Sequence, residues 1–156
     1  MTDPFTTLQE AVTAKLRQVE FLCDVPVLNE RLKDLNSEID KALGTIASAG
    51  KAGIFAFVLT PVAKCGSCDT PGQPYFDDVD VVVQVLENVL INMGAQGTQK
   101  PAPAVALAIA GALHLYYEER KFAPLKTGAI KLVAHPTLNV YNVSFKSALN
   151  AQFDPS

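Results

Sequence analysis

The chain has 156 residues, the length of one domain, because a single hydrophobic core ordinarily serves roughly 100 to 200 residues. With 49% hydrophobic and 19% charged residues it is too apolar to stay disordered for want of a core. Thirteen Lys and Arg against sixteen Asp and Glu leave a net charge of -3 with no basic block, which argues against sequence-specific nucleic-acid binding.

The first five residues lack the basic stretch and apolar core of a secretory signal, so cytosolic synthesis is expected. No apolar run reaches the ~20 residues of a membrane-spanning helix, so no membrane partner is expected either.

Phe5, Leu8, Val12, Leu16 and Val19 recur at steps of three and four, which predicts a helix over residues 4–21. Asp3 is a suitable N-cap, and Pro4 suits the first turn, where its missing N–H costs nothing. Residues 24–28 read as a short strand that Pro26 confines to a sheet edge. A second helix is expected at 36–49, capped by Ser37 and closed by Gly50.

Residues 53–62 are β-branched and aromatic between Gly and Pro, and read as a buried strand. Residues 78–88 place Val79, Val81, Val83 and Val85 on one face at period two, with Asp80 and Gln84 on the other. The breaker-rich stretch 64–76 joins these two as antiparallel neighbours, giving a long hairpin. After a second breaker-rich connection over 93–103, an alanine-rich helix is expected at 104–120 with Val105, Ile109, Leu113 and Tyr116 as its stripe. Its many small side chains should let it pack closely on the sheet. Residues 129–133 and 141–145 read as a closing strand pair around a turn that contains His135. One α+β domain spanning 1–156, with its ordered core at about 5–148, follows: a mostly antiparallel sheet with a long hairpin and helices packed on one face.

Few residues promise chemistry. Cys65 and Cys68 have the spacing of a chelating or redox thiol pair. A structural zinc needs four ligands, however, and only Cys23, His114 and His135 remain to complete one. A redox pair would be expected at a helix N-terminus, whereas turn residues follow here. Loop thiols, a metal site completed from elsewhere and a redox pair all stay open. His114 on a helix and His135 in a turn assemble no triad. Asp77, Asp78 and Asp80 lack calcium-loop spacing and read as solvated charges at a strand end. The glycines at 94 and 97 lack the GK[ST] ending of a phosphate loop.

A valine-rich strand that ends in Glu87-Asn88 and is followed by Ile91-Asn92 resembles the strand and turn of small tail-terminator or tail-completion proteins of tailed bacteriophages and prophages. The order of elements over residues 5–145 is similar to that family as well. The resemblance implies a non-enzymatic virion subunit without a cofactor. It would be made in the host cytoplasm and built into the tail as a ring, commonly hexameric. Its partners would be copies of itself, the tail tube protein, whose polymerisation it stops, and the head–tail connector protein. Glu87, Asn88 and Asn92 match the motif and are candidates for an interface, or equally for a turn stabilised by local side-chain bonds. Another head–tail joining or minor tail protein of the same fold shares nearly all these features. Because the Cys65–Cys68 loop lies outside the family pattern, a small metal-binding or thiol redox module is the alternative. An enzyme whose site is assembled from loops is a third.

Overall fold

A computed structural model describes residues 3–29, 53–66, 76–95, 97–116 and 122–149. The helix expected at 36–49 lies outside the described residues. Helix α1 spans Pro4–Arg17, and Asp3 caps it by accepting from the backbone N–H of Thr6 at 2.8 Å and from its hydroxyl. It stops four residues earlier than the periodicity predicts. Val19 turns extended there and a 3-10 turn at Glu20–Leu22 buries Leu22, redirecting the chain into strand β1 (Val27–Leu28).

Strands β2 (Ile54–Val58) and β3 (Val62–Lys64) both run antiparallel to the ten-residue β4 (Asp78–Glu87), which makes the expected hairpin. The single strand expected over 53–62 is interrupted. Between the pairs Val58–Val83 and Val62–Asp80, four steps on one strand face three on the other, so a bulge absorbs the extra residue. Pro61, with no N–H to give the ladder, lies in that bulge. Gln9 from α1 donates its Nε2 to the Val58 carbonyl at 2.8 Å, which ties helix to sheet where the strand breaks.

One helical turn, α2 (Val89–Asn92), follows β4, and helix α3 spans Ala102–Leu113. α3 begins two residues earlier than expected, since Pro103 is tolerated in a first turn, and ends well before residue 120. Its end is set by tertiary bonds: Leu115 takes a positive φ, its N–H donates to the Leu125 carbonyl at 2.7 Å, and the Leu125 N–H donates back to Tyr116 at 2.8 Å. Tyr116, expected on the helical stripe, therefore lies beyond the helix.

Strands β5 (Lys126–Val133) and β6 (Asn139–Ser147) are each longer than expected and close the sheet in the order β1-β2-β4-β6-β5, with β3 also on β4. All pairings are antiparallel except that of β1 with β2. Both long described helices cover one face. Leu8, Val12 and Leu16 of α1 and Val105, Ile109 and Leu113 of α3 enclose the four odd-numbered valines of β4, with Val143 and Phe145 of β6. At about 1.5 to 3 kcal/mol per fully buried aliphatic or aromatic side chain, this layer is the main source of stability. The opposite face holds a smaller buried cluster, in which Phe55 and Phe57 meet edge to face at 5.0 Å beside Leu86, Leu138 and Val140.

Among the described strands, β1 and β5 end the order of the sheet, and β3 pairs with β4 alone. β1 offers only two residues, and the Arg17 guanidinium occupies its Val27 carbonyl through Nε at 3.1 Å and Nη2 at 2.7 Å. β5, the outer strand on the other side, exposes Lys126 and Lys131.

Candidate functional site

Glu87, Asn88 and Asn92 come together where β4 runs out into α2. Asn88 caps the single turn, accepting from the Ile91 N–H at 3.4 Å, and its own N–H donates to the Gly53 carbonyl at 2.7 Å. Asn92 is fully buried and works in three directions. Its Nδ2 donates to Glu87 Oε2 and, at 2.8 Å, to the Lys100 carbonyl, while its Oδ1 accepts from the Thr98 hydroxyl. Its backbone carbonyl accepts from the Gln99 N–H at 2.9 Å. Glu87 is also buried, and its second oxygen accepts from Asn139 Nδ2 at 3.3 Å, so the bracket reaches across to β6.

Two glycines make room for this bracket. Gly53 has φ +65°, and a Cβ there would meet the Asn92 backbone nitrogen and the Ile91 side chain; a Cβ at Gly97 would run into the Asn92 carbonyl. Lys100 extends the bracket outward. Its ammonium donates to the Phe21 carbonyl at 2.6 Å and to Asp24 Oδ1 at 2.7 Å, and lies 4.7 Å from the Phe21 ring centre.

This polar framework holds an apolar tip. Val89, Leu90, Ile91 and Met93 are all exposed, Leu90 to 90%. No charged residue occurs from Asn88 to Gln99. A large apolar side chain held in water by a turn whose polar groups are satisfied beneath it presents shape and apolar area. The side chains of Glu87 and Asn92 make their hydrogen bonds inside the protein. Thr98, Lys100, Asn139, Gly53 and Gly97 complete the bracket and carry no local sequence signal beyond the turn-forming glycines.

The other candidates lie elsewhere. Cys65 follows β3 and is in a disulfide, Cys23 is free and exposed, and Cys68 lies outside the described residues. Among the described residues no three His, Cys, Asp or Glu side chains converge as metal ligands. Lys146 of β6 bridges Asp78, at 2.8 Å, and Asp80. Its hydrogen bond holds the Asp78 carboxyl below the ordinary range, and bonds to Asp78 and then Asp80 hold the ammonium above its own. His114 bonds Thr127 near the start of β5, at 3.0 Å to the hydroxyl, whereas His135 beyond the end of β5 accepts from the Thr137 and Leu138 N–H groups at 3.2 Å. A whole strand separates the two imidazoles. No described helix is long and apolar enough to cross a membrane.

No protein-family model matches the chain, and no curated protein matches it. Among solved structures, it is similar to a chain from the virion of a native gene transfer agent (GTA) particle. That likeness has a TM-score of 0.58 at 15% identity and covers 96% of this chain and 100% of the other. The two share a fold.

Proposed function

We propose that the protein is a non-enzymatic structural subunit of a tailed-phage-type virion, a tail terminator or completion protein that forms a ring on the last layer of the tail tube. The observation that carries this reading is the shared fold over nearly the full length of both chains with a protein of a phage-like particle. The resemblance of the β4–α2 segment to the terminator family agrees with it. So does the chemistry of the site, where a buried polar bracket stiffens an uncharged apolar tip. On this reading copies of the chain contact one another head to tail, which closes a ring when the rotation per subunit divides a full turn. The tube protein and the head–tail connector protein meet its two sides, and the protein resides in the virion tail after synthesis in the host cytoplasm.

The test is the addition of purified protein to tail tubes that lack their cap. A terminator binds one end and holds the length distribution fixed in electron micrographs. Tubes that keep growing with unoccupied ends would reject the terminator role, and binding at the connector alone would favour a neighbouring neck protein of the same fold.

A further inference from the structure

Strand β2 is buried at every position from Ile54 to Val58, so both of its faces are covered. Ile54, Ala56 and Val58 belong to the larger core beneath α1 and α3. Phe55 and Phe57 alternate to the opposite face, the first in register with Leu86 and Val140, the second with Gln84 and Asn142. Neither α1 nor α3 contributes to the cluster there, whose described members come from strands and the turns beside them. Neighbours within a sheet shield a side chain only from the flanks, and full burial needs a second layer, ordinarily about 10 Å above the first. Phe55 and Leu86 are nevertheless at 0% exposure and Phe57 at 1%.

The connection of β1 to β2 identifies that layer. These strands pair in parallel, Val27 with Ala56 and Leu28 with Phe57, so the chain must return to the start of β2 across one face of the sheet. Over these two strands the first face is taken by α1. It packs Leu8, Val12 and Leu16 in one cluster with Val27, Ala56 and Val58, and it bonds the Val58 carbonyl through Gln9. The second face remains. The intervening residues 30–52 exceed the roughly dozen that a crossover requires. They carry Leu32, Leu35, Ile39, Leu43 and Ile46 at steps of three and four, an apolar stripe for an apolar face.

Reach excludes the other stretches outside the described residues. Leu86 lies about 26 Å along β4 from Asp78, the partner of Lys64, at ~3.3 Å per residue. Residues 67–75, tied at that end, reach roughly 17 Å out and back when fully extended. Residues 150–156 follow Leu149, whose N–H bonds the Phe76 carbonyl still further out, and they span at most about 25 Å. Residues 117–121 precede Phe122 of the first-face core and reach about 10 Å. We propose that residues 30–52 dock across the second face of their own sheet, with the stripe from Leu32 to Ile46 over Phe55, Phe57 and Leu86. That face is then an internal docking site and no platform for a tube or connector protein, whose contacts fall to turns, helix exteriors and strand ends. The assignment goes beyond the virion reading and does not depend on it, so a failure to cap tubes leaves it standing.

Photocross-linking in the full-length chain tests this, with p-benzoylphenylalanine placed singly at Phe57 and at Val82 of the same face. Val82 is half-buried and takes the bulk of the probe if Phe57 does not. Irradiation should join the probe to a residue within 30–52 of the same chain, a product that keeps the monomer mass and is mapped by peptide mass spectrometry. Ile39→Asp and Leu43→Asp should each lower the melting temperature by about 10 °C or more, and Lys41→Glu, off the stripe, by less than about 3 °C. Cross-links to 67–75, 117–121 or 150–156, or none from either position, would overturn the assignment. Cross-links to 30–52 of a second chain would overturn it in favour of exchange between copies. Aspartate variants that melt with Lys41→Glu would overturn it as well, because the stripe would then face water.

Discussion

Asn92 donates its side-chain amide to the carboxyl group of Glu87 across the turn that ends β4, with both residues buried. The same amide nitrogen reaches the Lys100 carbonyl, so one side chain fixes the start and the end of the connection between β4 and α3. Asn92→Ala removes these bonds and leaves polar groups of Glu87, Thr98 and Lys100 to find new partners. Chemical denaturation should show a loss of about 2 to 4 kcal/mol. An unchanged midpoint would mean that the bracket is not structural.

The two glycines best explained here should respond in opposite senses. Gly53→Ala forces a Cβ onto the Asn92 nitrogen at a positive φ and should cost more than about 1 kcal/mol. Gly111→Ala fills open space on α3 and should leave the isolated subunit unchanged or up to about 1 kcal/mol more stable. Thermal melts of the two variants side by side provide the comparison.

Two buried glutamines offer a second contrast. Gln9 bonds the Val58 carbonyl across 2.8 Å, and Gln9→Leu should cost about 1 to 3 kcal/mol by stranding that carbonyl. Gln84 donates to Asn142 at 2.9 Å, but its own Oε1 is buried without a partner among the described residues. Gln84→Met removes that orphan oxygen together with the bond to the half-buried Asn142, whose oxygen can turn to water, so it should cost less than Gln9→Leu, within about 1 kcal/mol of wild type in urea midpoints.

Acid should loosen the first helix. The backbone N–H of Thr6, and then its hydroxyl, hold the Asp3 carboxyl below its ordinary value. A lowered carboxyl contributes stability above its unfolded value, near about pH 4, and that contribution fades as pH falls through the folded value. Asp3→Ala should cost about 1 kcal/mol at pH 7. The gap between wild type and variant should close as pH drops below about 4, which parallel denaturation curves would reveal.

Much of the architecture is readable in the residues themselves. The alternating valines of β4, the stripe of α1 as far as Leu16 and the cap at Asp3 are local patterns, and each lies where the sequence pattern places it. What escaped is non-local. The end of α3 is set by a partner further along the chain, as Leu125 supplies bonds to Leu115 and Tyr116 just beyond it, and neither the break around Pro61 nor the 3-10 turn before β1 shows in the periodicity. The candidate site divides in the same way. Glu87, Asn88 and Asn92 could be named from a short motif, but Lys100 reaches Phe21 and Asp24, which lie 79 and 76 positions earlier, and nothing near Lys100 announces that link.

The treatment of the outer strands has its own consequence. A ring of copies such as the one proposed above is at risk of open-ended stacking, in which one sheet extends into the next by backbone pairing. Here Arg17 holds the Val27 carbonyl of β1, and Lys126 and Lys131 are exposed on β5. On the proposed reading, these two devices discourage pairing through the main chain of β1 and β5, where any sequence would suffice, and leave recognition to side chains, where only a correct neighbour fits.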